Sequence, residues 1–461
     1  MPYGREVIEN AAEASLDGAL LTALATTHNG LYAQAGSGLA LEKFFSHAFG
    51  NIFDAGVLMD PEYDLPADQH TGDPQTFHVC GEDTITVVIG WDRIDTTLLV
   101  EVTTPSGATI TSGSPGVEES TGRTWTFMRI PLPQGGERDG VWSAMVFRPG
   151  GGEFPPPASQ LRYFINVIPS GGPRLLRMPD DRPYYTGDSI NPLVLLRYAD
   201  GSWPVDARVQ VTVSRPDAGA GNILSQERLR APVTLEADTI PPRQATLMAL
   251  ESESGQPIVH YTEHTFDLSD DPANTNGTFE PGAVFGTFLE DQLAMEGSYM
   301  FHFRATYGQD CTATRELLWS LHVDVGVDPA RTDVTTTIGD TRPDGSRDVT
   351  IVIIPRDKYG NNLGPGRLGE LSVTGAAGST VTGPVQDNGD GSYSVPVAWD
   401  PASGHEPGVV IGQPGRPAVV VQEPKHASPE DCRTWKILFW GALIVALILL
   451  LLIVLLLLLL V

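Results

Sequence analysis

The C-terminal 25 residues constrain this chain more than any other part. Residues Ile437 to Val461 contain no charged side chain, and all but five of them are Leu, Ile or Val. At about 1.5 Å per residue, a helix of this length exceeds the roughly 30 Å hydrocarbon core of a bilayer. No polar face is available to meet water, which argues against a helix in a soluble core. The sequence therefore predicts a transmembrane helix containing Trp440 and Leu450, after a juxtamembrane linker at 423–436.

The residues just before the span bear on topology and modification. Lys425, Arg433 and Lys436 precede the span, and the positive-inside tendency would place the body in the cytosol. Long domains cross membranes largely regardless of flanking charge, however, and we expect an extracytoplasmic body. Cys432 is a candidate lipidation site, with an inert thiol as the alternative. Removal of the tail as a GPI-attachment signal is the remaining alternative to a span.

The composition of the remaining body limits its size class and partners. A chain of 461 residues is too long for one hydrophobic core, and its 49 Gly and 37 Pro are typical of turn-rich domains. Its net charge of −28 argues against nucleic acid or an anionic lipid surface as partner for the body. The three cysteines are far apart and odd in number, so they imply neither a disulfide framework nor a zinc site.

Before the tail, helical spacing is confined to residues 17–53. A short first stripe contains Leu20, Leu21 and Leu24. The second stripe, spaced i, i+3 and i+4, contains Leu41, Phe44, Phe45, Ala48, Phe49, Ile52 and Phe53. Between them the Asn29-Gly30 turn precedes a short predicted strand at 31–33. This unit has too little sheet of its own to cover the Phe-rich stripe. We therefore interpret residues 1–57 as a partial α/β segment, the end of a larger domain.

The string LLTALATTHNGLYAQAGSGLALEKFF, residues 20–45, resembles the closing segment of von Willebrand factor type A domains. In that family a helix precedes a strand and a final helix covers the sheet. The family's divalent metal sits on a D-x-S-x-S loop that would precede Met1, so the resemblance carries over no metal ligand. Asp267-Leu268-Ser269 shares residue types with that loop, but two further Asp follow it and it lies in another domain.

From Asp60 onward, period-2 alternation replaces helical spacing and predicts β-strands. The predicted strands are 84–90, 98–103, 124–130, 141–147, 207–213 and 349–354. The predicted fold is mainly β, with three tandem immunoglobulin-like β-sandwiches after the α/β segment and one transmembrane helix at the end. We place the sandwiches at 60–172, 173–326 and 327–422.

A weak repeat supports this division. Asp139 to Trp142, Glu296 to Tyr299 and Asp390 to Tyr393 each place an acid, a Gly and an aromatic before an alternating run, which indicates a late hairpin in each sandwich. DKYGNNLGPG (357–366) together with DNGDGSY (387–393) is similar to bacterial immunoglobulin-like and filamin-like surface modules. That resemblance implies a spacer or binding role.

Four local patterns have a functional and a structural interpretation. His260 and His264 with Glu263 share residue types with zinc sites, but their neighbours favour a strand, on which the two imidazoles would lie about 13 Å apart. The 387–393 segment fails the spacing of a calcium loop and predicts a hairpin turn. Asn276-Gly277-Thr278 is a glycosylation sequon only in a eukaryotic secretory context. His78 and Cys80 share a strand face, which favours a place in the core.

The sequence contains no nucleophile elbow, Walker loop or dinucleotide glycine pattern. We therefore predict a non-enzymatic, cofactor-free surface or envelope protein whose sandwiches form a stalk for adhesion or protein binding. Its expected partners are the lipid bilayer, through the C-terminal helix, and a protein that the sequence does not identify. The alternative is an accessory subunit or fragment of an envelope metalloprotease or channel-regulating protein, since type A domains can stand beside metalloprotease modules. An upstream reading frame encoding D-x-S-x-S or H-E-x-x-H would separate these two hypotheses.

Overall fold

A computed structural model describes ten stretches of the chain, which begin with a single residue near the N-terminus. The described residues are 39, 62–149, 160–178, 180, 182–227, 229–230, 242–255, 258–275, 282–309 and 311–423. The predicted helices and strand of residues 17–53 and the predicted transmembrane helix lie outside these stretches, apart from Leu39.

The described chain is mainly β, as the alternating pattern predicts. Six sheets stand in three pairs, and each pair encloses one cluster of buried hydrophobic side chains. Two sheets that face each other across a shared apolar core form a β-sandwich. We refer to the three pairs as the first, second and third sandwich. The exact domain boundaries given above remain a prediction.

The first sandwich contains nine strands. They are β1 (Glu62–Leu65), β2 (Gln75–Val79), β3 (Glu82–Trp91), β4 (Leu99–Thr103), β5 (Thr109–Ile110), β6 (Glu118–Thr121), β7 (Trp125–Pro131), β8 (Gly140–Phe147) and β9 (Leu161–Gly171). The sheet β1-β9-β3-β7-β6 faces the sheet β2-β8-β4-β5. Alternate residues such as Val87 on β3 and Trp142 on β8 point into the shared core, because successive side chains of a strand point to opposite faces.

The second sandwich contains eight strands and two helices. They are β10 (Arg174–Arg177), β11 (Tyr184–Tyr185), β12 (Val194–Arg197), β13 (Arg208–Pro216), α1 (Ala220–Ser225), α2 (Pro242–Ser254), β14 (Tyr261–Leu268), β15 (Val284–Phe285), β16 (Gly297–Tyr307) and β17 (Ala313–Asp324). The sheet β11-β17-β16-β13-β14 faces β10-β12-β15. Both helices lie between β13 and β14, and neither is predicted from the sequence.

The third sandwich contains the last eight strands. They are β18 (Asp333–Thr341), β19 (Arg347–Ile354), β20 (Ser372–Gly375), β21 (Ser379–Val381), β22 (Gln386–Asp387), β23 (Tyr393–Trp399), β24 (Gly408–Gly412) and β25 (Val419–Gln422). The sheet β18-β19-β23-β21, with β22 also paired to β23, faces β20-β24-β25. Short 3₁₀ turns lie at Leu368–Glu370 and Pro401–Ser403.

The acid-Gly-aromatic repeat places one buried aromatic ring in each sandwich. The Trp142 indole donates to the Arg138 carbonyl at 2.8 Å, and the Tyr299 hydroxyl donates to the Met295 carbonyl at 3.0 Å. The Tyr393 hydroxyl donates to the Gly364 carbonyl at 2.7 Å. Burial raises the pKa of Tyr299 to about 12, so its phenol remains a neutral donor. A large aromatic side chain can be fully buried when its N–H or O–H group makes a hydrogen bond, as these three do.

The hairpin prediction for this repeat holds for two of the three copies. In the third sandwich β22 pairs antiparallel with β23, and in the second β16 pairs antiparallel with β17. The prediction is wrong for the first copy, because β8 pairs with β2 and β4. In the first sandwich the chain crosses from one sheet to the other after β7. The motif therefore begins β8, which does not pair with β7 or β9, the strands that precede and follow it in sequence.

Candidate functional site

The predicted membrane-site residues lie outside the described part of the chain. These are Ile437, Trp440, Leu450 and Val461 of the predicted span and the candidate lipidation residue Cys432. Within the described stretches, no helix combines the length and the apolar character needed to cross a bilayer. The membrane anchor and its modification therefore remain predictions.

The structure places the histidine pattern on a strand, as predicted. His264 lies in β14 opposite Val213 of β13, and His260 directly precedes the strand. In the described stretches no group of three or more His, Cys, Asp or Glu side chains is arranged to hold a metal ion. The 387–393 hairpin is confirmed: Gly389 and Gly391 have φ of 77° and 87°, the left-handed region that such turns require.

Most of the charged side chains that the described structure buries lie where consecutive sandwiches meet, among them Glu82, Arg315, Glu296 and Arg367. We call the contacts between the first and second sandwiches the first joint, and those between the second and third the second joint. Because buried charges are costly unless paired, their positions mark contacts that the fold must hold in one arrangement. The two joints are therefore the candidate functional site of the described chain.

A disulfide crosses the first joint and corrects two expectations from the sequence. Cys80 follows β2 and bonds to Cys311, which precedes β17, 231 residues later. The expectation that the cysteines imply no disulfide is wrong for this pair. The prediction that His78 and Cys80 share a core face is also wrong: Phe77 and Val79 are the core-facing residues of β2, His78 is exposed, and Cys80 is half-buried.

A fully buried ion pair lies beside that disulfide. The Arg315 guanidinium contacts the Glu82 carboxylate, and both side chains are 0% exposed. The Arg315 Nε also donates to the Pro173 carbonyl at 3.0 Å, in the segment that links the two sandwiches. Glu82 accepts from the backbone amide of Cys80, so the ion pair and the disulfide share one structural unit. Close pairing and additional hydrogen bonds are what a buried ion pair needs to offset desolvation.

Arg367 is the centre of the second joint. Its Nη2 lies 2.5 Å from Asp324 Oδ1 and 3.7 Å from Glu296 Oε1, and its Nε lies 2.8 Å from Glu370 Oε2. Asp324 ends β17 and Glu296 precedes β16 in the second sandwich, whereas Arg367 and Glu370 belong to the third. Glu296 also pairs with Arg243 of α2 at 2.7 Å. The charges on both sides of this joint are thus mutually compensated.

These contacts change the proton affinities of the carboxylates. Burial disfavours the charged form of Asp324, but hydrogen bonds and charges from His322 and Arg367 outweigh it and lower its pKa below the ordinary carboxyl range. Burial raises the pKa of Glu370, and the Arg367 charge only partly opposes this. Both acids contact Arg367 and so contribute to holding the joint.

The DKYGNNLGPG segment forms the second contact area of this joint. Asn361 Nδ2 donates to the Ala294 carbonyl at 2.8 Å, and Asn222 of α1 donates to Asn361 Oδ1 at 2.8 Å. The Asn362 amide in turn donates to Asn222 Oδ1 at 2.7 Å. At the edge of the joint, Lys358 pairs with Asp291 at 2.8 Å. A segment that the sequence analysis identified by its resemblance to surface modules therefore also attaches its sandwich to the preceding one.

Helix α1 approaches this segment backbone to backbone. A Cβ atom added to Gly221 would lie 2.1 Å from the Asn362 carbonyl oxygen and 2.6 Å from that of Leu363. Only glycine permits such an approach. The Gly221 amide also donates to Glu296 Oε2 at 2.7 Å, which connects α1 to the charged cluster.

Sequence reasoning identified part of the joints. It singled out Glu296 through the repeat and residues 357–366 through the resemblance. It did not find Glu82, Arg315 or Arg367, because a charged residue with no visible partner is expected at the surface. The available signal was the presence of Cys80 and Cys311, which the structure joins at the first joint.

No protein family and no curated relative matches this chain. Among solved structures it is similar to the Escherichia coli adhesin FdeC, at 12% identity and a TM-score of 0.26, covering 79% of this chain and 96% of that one. It is also similar to invasin, a bacterial integrin-binding protein, at 13% identity and a TM-score of 0.22, covering 80% of this chain and 60% of that one. A third similarity is to domains 5–6 of the S-layer protein SbsC, at 15% identity and a TM-score of 0.14, covering 54% and 97%.

Proposed function

We propose that this chain is a non-enzymatic, membrane-anchored stalk whose three immunoglobulin-like sandwiches hold a binding region at a fixed position relative to the bilayer. The observation that carries the proposal is that charged residues are buried at both joints, Arg315 with Glu82 at the first and Arg367 with Glu296 at the second. A joint that buries charges can rotate only by separating them, at a cost of several kcal/mol. Consecutive sandwiches would therefore move together.

The chemistry of the first joint supports an extracytoplasmic body. Disulfides persist in oxidising compartments and are rare in the cytosol, and Cys80 bonds to Cys311. The charge-free segment 437–461 would supply the anchor, and residues 423–436 the linker to the bilayer. In this proposal the resemblance of residues 20–45 to a von Willebrand factor type A domain indicates an upstream binding domain, which would meet the protein partner.

The anchor and the location can be tested together in cells that express the full chain. We expect the protein in the membrane fraction, resistant to alkaline carbonate, and released when residues 437–461 are deleted. Protease added to intact cells or spheroplasts should digest the body, and thiol-specific labelling should find Cys80 and Cys311 oxidised. A full-length chain that stays soluble without detergent, or a body fully protected from protease, would contradict the proposal.

A further inference from the structure

The β1-β9-β3-β7-β6 sheet buries side chains on the face that points away from the sandwich core. On β9 the core-facing residues are Leu161, Tyr163, Ile165 and Val167. The residues between them point to the outer face, yet Phe164 is 1% exposed and Asn166 is 0% exposed. Phe164 and Ile168 are buried but belong to none of the three hydrophobic clusters of the described chain. Strand β9 is thus covered on both faces, as strands between two layers are.

The covered area is a strip about two strands wide. On β3, Gly90 pairs with Phe164 and Val88 pairs with Asn166, and both β3 residues are buried or half-buried. On the flanking strands the outward residues Asp64 of β1 and Arg129 of β7 are exposed, and Phe127 of β7, which pairs with Val88, is half-buried. Adjacent strands are about 4.8 Å apart, so the strip is roughly 10 Å wide, which is the diameter of one helix.

We propose that this outer face is the docking surface for residues 41–53 of the same chain. Their predicted helix would be about 20 Å long and would carry one continuous apolar stripe, enough to cover the roughly 13 Å from Phe164 to Ile168. The proposal does not rest on the stalk function, and it assigns the apolar stripe to the first sandwich in place of the sheet of an upstream type A domain.

The path of the chain supports residues 41–53 as the segment that covers the strip. Residues 54–61 lead from the apolar stripe directly into β1, the edge strand of this same sheet, where Glu62 pairs with Phe164. Eight residues reach at most about 29 Å, so the stripe cannot lie far from the strip. Leu39, just before the stripe, is 2% exposed and belongs to none of the described hydrophobic clusters.

The rival occupant is the connection between β8 and β9. Its residues 150–159 read GGGEFPPPAS and contain one large apolar side chain, Phe154. One ring cannot cover a strip that includes Phe164, Asn166 and Ile168. In the other competing arrangement, the apolar stripe packs on the sheet of an upstream type A domain. A different segment would then have to cover the strip on β9 and β3.

Thiol labelling of the full chain tests the proposal in a Cys432→Ser background. We expect Asn166→Cys to react at least about tenfold more slowly than the exposed Arg129→Cys. Adding Phe45→Asp and Phe49→Asp should accelerate labelling of Asn166→Cys by about tenfold or more, while the core-facing Met128→Cys remains protected. The control is Lys43→Asp with His47→Asp, which also introduces two Asp side chains but places them on the opposite side of the predicted helix, and it should change nothing. An Asn166→Cys thiol that stays protected in the Phe45/Phe49 variant would overturn the proposal.

Crosslinking provides a second measurement that leaves most of the apolar stripe in place. A bismaleimide of about 10 Å, one helix diameter, should join Phe49→Cys to Val88→Cys on the outer face within a single chain. It should not join Phe49→Cys to Glu101→Cys, which lies on the outward face of the opposite sheet. Failure of the first crosslink, or formation of the second alone, would contradict the docking.

Discussion

The first joint holds its two sandwiches with one covalent bond and one fully buried ion pair, whereas the second relies on many polar contacts. At the first, the Cys80–Cys311 bond and the Arg315–Glu82 pair are adjacent. At the second joint, the described contacts come from Arg367 and from residues 357–366. They involve charged groups, side-chain amides and the backbone. The first joint should therefore respond to redox conditions and to loss of single residues, and the second to pH and to close packing.

The largest expected effect comes from removing one partner of the buried pair. Arg315→Met leaves the Glu82 carboxylate unpaired in a site with no water access, which should cost about 3–5 kcal/mol of unfolding free energy. The matched control is Arg129→Met, whose exposed pair with Glu118 spans 3.5 Å and should contribute below about 1 kcal/mol. Denaturant midpoints measure both. Equal losses would show that the buried pair does not hold the joint.

Removing the disulfide should have the next largest effect. The double variant Cys80→Ser with Cys311→Ser opens a cross-link between residues 231 positions apart, and such cross-links stabilise folded proteins by about 2–4 kcal/mol. The unfolding midpoint should fall by the corresponding amount. Reductant should lower the midpoint of the parent chain but not that of the double variant. A parent chain insensitive to reductant would argue against this bond.

The second joint should be sensitive to one methyl group. Gly221→Ala forces α1 away from the Asn362 and Leu363 carbonyls, and overpacking of this kind costs about 1–3 kcal/mol. Amide hydrogen exchange at Asn362 should accelerate, since its amide bonds to Asn222 of α1. Gly369→Ala is the matched control in the same joint, where an added Cβ meets no atom within 4 Å. Unchanged amide exchange at Asn362 in Gly221→Ala would show that α1 does not contribute to the second joint.

Acid should loosen the second joint. The pKa of Asp324 is lowered in the folded chain, while in the unfolded chain it is about 3.9. Its contribution to stability is therefore fully present above that value and is lost as the pH falls through the lower folded pKa. We expect amide exchange at Gly326, two residues beyond Asp324, to rise below about pH 4. Asp324→Asn should weaken the second joint at neutral pH and reduce the pH dependence of amide exchange at Gly326. If the variant shows the same pH dependence as the parent chain, a group other than Asp324 causes it.

Patterns in the sequence predicted strands whose residues alternate between apolar and polar, such as β3 and β8, and missed β9. The predicted 84–90 and 141–147 correspond to β3 and β8 within two residues at each end. Strand β9 was not predicted, because both of its faces are covered and its sequence Tyr163 to Ile168 does not alternate. A strand that is buried on both faces has a nearly continuous apolar sequence, so the alternating pattern does not reveal it.

The joints could be predicted only in part, because they depend on long-range partners. The Asp387–Tyr393 turn follows from its own glycines, which supply the positive φ locally. The pairing of Glu82 with Arg315, 233 positions away, has no local signature, and neither does the choice of Cys311 as partner for Cys80. A single sequence shows which residues could be buried in pairs but not which sandwiches will bring them together.

The central claim is that both joints are fixed, and interspin distances measure it most directly. Nitroxide labels at Ile94→Cys and Ile338→Cys, exposed positions on the first and third sandwiches, would be introduced in the full chain with Cys432→Ser and the disulfide intact. We predict a single narrow distance distribution that broadens when Arg315→Met and Gly221→Ala are combined. A broad or multiple distribution in the chain with both joints unaltered would contradict the claim.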